Sequence, residues 1–192
     1  MNLSNRLTLS RIAMTFLIMG FLFLPGVVAK VSAFLIFLLA CLTDFLDGWV
    51  ARRRNEISDF GKLMDPVADK ILVLGIFLSF VELQLIPAWM VIIIVIREFL
   101  ITGLRLFAMR KGLVLAAESA GKHKTVSQMV TIFFILIFLI VRESGVYFSV
   151  WNKELQETFR IAILFFMAIA VVLTVCSGFS YVWQNRKVIR SL

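Results

Sequence analysis

The sequence predicts an all-α integral membrane protein: six transmembrane helices, both termini cytoplasmic, and one membrane-embedded domain over 1–192. Three observations predict it. Of the 192 residues, 61% are hydrophobic and 17% charged, and the mean hydropathy is +0.97. A soluble domain holds about 45–50% apolar and about 25% charged residues. Apolar runs close to the roughly 20 residues that a helix needs to cross hydrocarbon recur along the whole chain. Lys and Arg are divided unevenly between the two ends of those runs, as the positive-inside rule requires.

The runs fall at 7–25, 28–51, 63–82, 86–108, 126–141 and 159–184. The first is too long for a signal-peptide core and no small-residue cleavage site follows it, so it counts as a span. The amphipathic opening MNLSNRLTLSR suits a short interfacial helix ahead of that span. Pro25 closes the first run and Pro87 opens the fourth, where helices stop or start. The third run contains Pro66, which removes one amide and disfavours helix at residue 65. Either the helix begins near Pro66 or the proline kinks it; a common stripe for Gly61 and Asp65 favours the kink. The fourth run holds Arg97 and Glu98, adjacent charges that read as an internal ion pair. Cys41 and Cys176 have no spacing for a disulfide framework or a metal, and read as small buried hydrophobes.

With six crossings, fourteen of the 20 Lys and Arg lie on the side of the termini, including Arg52, Arg53, Arg54, Lys62, Arg105, Arg110, Lys111, Lys122 and Lys124. Lys30, Arg142, Lys153 and Arg160 lie opposite. The termini and the 52–62 and 105–124 connections are therefore placed in the cytoplasm. This topology accounts for the net charge of +8. No nucleic-acid partner is expected, because the basic stretches lack the interleaved aromatics of a single-strand binder.

Charges within membrane helices cost about 2.5–3.5 kcal/mol or more each and mark function by default. Four aspartates stand where the second and third runs meet, in TDFLDGWVARRRNEISDFGKLMDPVADK. Asp44 and Asp47 are three apart and share a helix face; Gly61, Asp65 and Asp69 follow at intervals of four and share another. Gly48, Ala51 and Gly61 are small, which lets helix backbones approach in lipid. The short basic connection makes the two helices antiparallel neighbours. Four converging carboxylates cannot all stay ionised without cations. Hard oxygen donors, with no Cys or His between Asp44 and Asp69, select Mg²⁺, Mn²⁺ or Ca²⁺ over zinc. Such a set suits two ions about 3.5–4 Å apart, the geometry of phosphoryl-transfer sites. The competing reading is that these acids cap helices or pair with Arg52, Arg53, Arg54 and Lys70.

The spacing Asp44-x2-Asp47-Gly48-x2-Ala51-Arg52-x8-Gly61-x3-Asp65-x3-Asp69 resembles the complete signature of the CDP-alcohol phosphatidyltransferase family. The six-span layout is also similar, so the resemblance covers essentially the whole chain. NLSNRLTLSRI, DPVADK and GKHKTVSQ resemble the bacterial branch that forms phosphatidylglycerophosphate. That branch moves the phosphatidyl group of CDP-diacylglycerol to sn-glycerol 3-phosphate and releases CMP. The resemblance implies that Asp44, Asp47, Asp65 and Asp69 surround two metal ions (Mg²⁺, with Mn²⁺ as substitute), and that Asp69 is also the general base. It implies that Thr43, Asp47, Gly48, Ala51, Arg52 and Gly61 receive the CDP-lipid, with Arg52 on the nucleotide phosphates. A homodimer is implied by the family alone.

The acceptor's phosphate needs an anion site, for which Arg105, Arg110, Lys122 and Lys124 are the candidates; Asn5 and Thr8 are weaker ones. Positive-inside topology and attraction to anionic headgroups explain the same residues more blandly. His123 is the only histidine, and a catalytic role is not assigned to it. A membrane-facing site would let the CDP head reach the acids while the lipid tails stay in hydrocarbon. Inositol phosphate or phosphatidylglycerol as acceptor remains open, while the basic cluster disfavours serine. A divalent-cation transporter is disfavoured because the acids gather near one interface rather than along a path. A purely structural scaffold is the remaining alternative.

Overall fold

The computed structural model describes the backbone of residues 3–54, 59–110, 120–147 and 151–186, and the side chains of 9–43, 70–109, 121–145 and 151–186. Among the described residues there are six helices and no strand: α1 (Leu3–Phe23), α2 (Val27–Arg54), α3 (Asp59–Glu82), α4 (Ala88–Arg110), α5 (Ala120–Tyr147) and α6 (Lys153–Gln184). Each expected run falls within one helix, except that 7–25 passes the end of α1 and 86–108 begins before α4, each by two residues. In hydrocarbon every backbone amide and carbonyl must be satisfied within its own segment, which a helix achieves. The segments Gly121–Gly145 and Lys153–Gln184 are long and apolar enough to cross a membrane.

Two local expectations are revised, and one choice between alternatives falls to the favoured side. A separate interfacial helix does not form: α1 runs unbroken from Leu3, since neither proline nor glycine interrupts residues 3–19. α3 begins at Asp59, so Pro66 lies inside a helix and does not start one. Cys41 is half-buried and Cys176 is exposed on α6, with no disulfide between them. An apolar run faces lipid as readily as core, so burial did not follow for Cys176.

Consecutive helices are antiparallel. At one end, Gly26 (φ +96°) turns the chain from α1 into α2, and glycine occupies that left-handed region without a Cβ penalty. The Lys30 ammonium donates to the carbonyls of Leu22 and Leu24, both at 2.7 Å, and so satisfies the terminal acceptors of α1. The Gly26 amide donates to Glu143 Oε2 at 3.3 Å, which ties this turn to the far end of α5. Asn152 caps α6, its side-chain oxygen accepting from the Leu155 amide at 2.8 Å.

α1 packs on α2 and α3, α5 on α6, α2 and α3, and α4 on α6 and α3. The shared core includes Phe37, Phe77, Phe80, Ile94, Leu136 and Met167. Two glycines set close crossings. A Cβ on Gly75 would stand 2.9 Å from Thr15 Cγ2, and one on Gly178 would stand 3.0 Å from Arg97 Cγ. Large apolar side chains such as Phe16, Phe99, Phe165 and Phe179 cover the outside, while Gln128, Thr131, Thr174 and Ser177 are buried. Apolar groups outward and polar groups inward is the arrangement a bilayer solvent selects.

Candidate active site

The signature residues lie at the end of the bundle away from Gly26. α2 carries Thr43, Asp44, Asp47, Gly48, Ala51 and Arg52 in its last turns, and α3 carries Gly61, Asp65 and Asp69 in its first. Both helices pack against α1 and α5. Helical backbone through both segments puts Asp44 and Asp47, and likewise Asp65 and Asp69, one turn apart. The side chains of residues 44–69 lie outside the described residues, as does that of Arg110. The hydroxyl of Thr43 donates to the Ala40 carbonyl of its own helix at 2.8 Å.

Immediately after Asp69 a polar junction joins four helices. The Lys70 ammonium donates to Thr102 Oγ1 and lies 3.5 Å from the Glu98 carbonyl oxygen. The Thr102 hydroxyl donates to the same carbonyl at 2.7 Å. The Glu98 carboxylate accepts from Lys124 of α5 and from Arg97 NH1 at 3.1 Å. Arg97 NH2 reaches Ser177 Oγ of α6 at 2.9 Å. One turn deeper, Gln128 Nε2 donates to Thr174 Oγ1 at 3.1 Å. A cavity of about 20 Å³ among Lys70, Glu98, Lys124, Thr125 and Gln128 has room for about one water.

The internal Arg97–Glu98 pair read from the sequence is present, and Glu98 also holds Lys124, which is only 7% exposed. Lys122 and His123 are exposed beside it. Arg105 is exposed on α4, with its guanidinium carbon 5.8 Å from the centre of the Tyr181 ring. The structure thus separates the basic candidates into a paired, buried Lys124 and two solvent-reaching cations. From the sequence, Thr102 and Gln128 have no assigned role, and Lys70 only that of a partner for the aspartates in the competing reading. The available signal was a polar residue inside an apolar run, which is costly unless it is paired.

A lateral groove of about 360 Å³ opens between α1, α3 and α4. Its walls are apolar, from Phe16, Met19, Leu74, Leu78 and Phe99, and Lys70, Thr102 and Thr15 supply its polar atoms.

The donor set on α2 and α3 consists of carboxylates, and its helical spacing brings them in pairs; that chemistry fits hard divalent cations.

The chain is similar to known proteins along nearly its whole length. The sequence model of the CDP-alcohol phosphatidyltransferase family matches residues 1–182. A Bacillus subtilis (strain 168) protein named CDP-diacylglycerol–glycerol-3-phosphate 3-phosphatidyltransferase is 34% identical over 99% of this chain and 98% of its own length. A Rickettsia bellii protein of the same name is 32% identical, covering 94% of this chain and 93% of its own. A Mycobacterium tuberculosis (strain CDC 1551 / Oshkosh) protein named probable phosphatidylglycerophosphate synthase is 35% identical over 94% of this chain and 80% of its own. With the family model matching residues 1–182 and relatives aligned nearly end to end, the chain belongs to the CDP-alcohol phosphatidyltransferase family.

Proposed function

We propose that the chain transfers the phosphatidyl group of CDP-diacylglycerol to sn-glycerol 3-phosphate, giving phosphatidylglycerophosphate and CMP. The observation that carries this reading is the uninterrupted signature from Asp44 to Asp69, in a chain that aligns along nearly its whole length with relatives named for that reaction.

Asp44, Asp47, Asp65 and Asp69 would hold a pair of Mg²⁺ ions, with Mn²⁺ as substitute. When bound, such ions neutralise charge on the pyrophosphate and on the departing CMP. Asp69 accepts the proton of the acceptor hydroxyl. The hydroxyl oxygen bonds to the phosphorus that carries diacylglycerol, and the bond from that phosphorus to CMP breaks. No covalent enzyme intermediate is needed, because positioning and electrostatics carry phosphoryl transfer. Gly48, Ala51 and Gly61 leave room for the nucleotide, Thr43 borders it, and Arg52 presents a planar fork to its phosphates. Arg105, Arg110 and Lys122 attract the acceptor's phosphate, while Lys124 adds its field from within the Glu98 pair.

The lateral groove is apolar and opens sideways beside Lys70; its chemistry suits an acyl tail whose head reaches the acids. In this reading all six helices span the cell membrane as one domain, with both termini and the site at the cytoplasmic face. The uneven distribution of Lys and Arg supports it. A homodimer is carried on family resemblance alone, and native mass determination in detergent tests it.

The reaction itself is tested by incubating purified chain with CDP-diacylglycerol, Mg²⁺ and sn-glycerol 3-phosphate, inositol phosphate or phosphatidylglycerol in parallel, then separating the lipids. Phosphatidylglycerophosphate is expected from the first acceptor alone. CMP release only with another acceptor would overturn the assignment.

A further inference from the structure

We propose that Thr102, acting through Lys70, is a positioning residue that sets the rotation of the acid-bearing end of α3 against α4. The proposal deepens the phosphatidyl-transfer reading and rests on it. Lys70 directly follows Asp69. Its ammonium donates to Thr102 Oγ1 and lies 3.5 Å from the Glu98 carbonyl oxygen. The Thr102 hydroxyl gives its single proton to that carbonyl at 2.7 Å, which leaves its lone pairs for the ammonium. Lysine and hydroxyl therefore lock onto one turn of α4.

That turn is itself anchored. The Glu98 carboxylate is held by Lys124 of α5, and neighbouring Arg97 reaches Ser177 of α6. The fixed point offered to Lys70 is thus braced by two further helices. Such a point matters in α3 because Pro66 removes the amide that would bond to residue 62, so the turn that carries Asp65 lacks one of its own hydrogen bonds. Successive helix positions are about 100° apart, so holding the azimuth of Lys70 holds that of Asp69, and one turn earlier that of Asp65. Beyond Lys70, Gly75 seats α3 against Thr15 of α1. Lys70 is the described tether nearest the acids.

Two variants of the full chain in detergent test the role. Thr102→Val keeps shape and every charge but removes the hydroxyl; Thr102→Ser keeps the hydroxyl. Misplacement of a reacting group by about 1 Å costs up to about a hundredfold in rate, so a partial release predicts about a tenfold fall in kcat for Thr102→Val. The KM for glycerol 3-phosphate should stay within about twofold, and the unfolding temperature should hold. Thr102→Ser should lie within about twofold of wild type in kcat. An undisturbed Thr102→Val overturns the positioning role. So does an equal loss in Thr102→Ser, or a loss that tracks a lowered unfolding temperature. Wild-type protein that releases no CMP from CDP-diacylglycerol and glycerol 3-phosphate overturns the reaction reading and this proposal with it.

Discussion

Replacing Glu98 by leucine is expected to destabilise the protein by about 3–5 kcal/mol, the cost of removing one partner from a buried ion pair. The side chains of Glu98, Lys124 and Arg97 are only 10%, 9% and 13% exposed. Leucine would leave two cations facing one another with their shared carboxylate gone. Lys124→Met is milder, about 1–3 kcal/mol, because Glu98 keeps Arg97. In the double variant only Arg97 remains, and Ser177 still accepts from it at 2.9 Å. The double variant should therefore cost less than the summed single costs, by about 1–3 kcal/mol. Neutral hydrogen bonds between membrane helices couple by only about 0.6 kcal/mol on average, so a coupling above about 1 kcal/mol is the mark of charge. Thermal unfolding in a mild detergent measures it. For a chain of this size 1 kcal/mol moves Tm by about 2–4 °C, so Glu98→Leu should lower Tm by about 6–20 °C. Costs that add to within about 0.5 kcal/mol would refute the reasoning, because independent sites add.

Four further outcomes are expected. Gly75→Ala should cost about 1–3 kcal/mol, because its Cβ would lie 2.9 Å from Thr15 Cγ2; adding Thr15→Ser, which removes that methyl, should recover most of the lost Tm, and no recovery would place the strain elsewhere. Asp69→Asn should reduce CMP release by about 10²–10⁴-fold at unchanged Tm, the scale of losing a general base; activity near wild type would remove Asp69 from the chemistry. Chelation with EDTA should abolish turnover and added Mg²⁺ restore it, and turnover that survives chelation would exclude the metal-assisted route. In a Cys41→Ser, Cys176→Ser background, Lys153→Cys should react with an impermeant maleimide in intact cells, and Lys122→Cys only after permeabilisation; the reverse pattern would invert the topology.

The helices were legible because the proposed solvent imposes them. Hydrocarbon demands long apolar runs with their backbone bonds closed internally, and such runs show in hydropathy alone. The acid pattern was legible for a related reason: intervals of three and four within one helix are a local property of the chain. Less was legible where the rule is ambiguous. An apolar position faces lipid or core with equal ease, so Cys176 was read as buried and is exposed. MNLSNRLTLSR is amphipathic, yet nothing in it stops a helix, and α1 runs straight through. Lys124 looked like one more cytoplasmic cation, but it is buried against Glu98, 26 residues away.

By itself the sequence determined the helical class, the order and approximate bounds of the six helices, and which two of them carry the aspartates. Those properties depend on neighbours within a turn or on the preference of a run for lipid. Only the tertiary structure decided which polar groups meet. Lys70 meets Thr102 across 32 residues, and Arg97 meets Ser177 across 80. These pairings depend on the rotation and depth at which helices cross, set by close contacts such as those at Gly75 and Gly178. A polar residue in an apolar run announces that it needs a partner, because burying it alone is costly. Which partner it finds is a matter of packing.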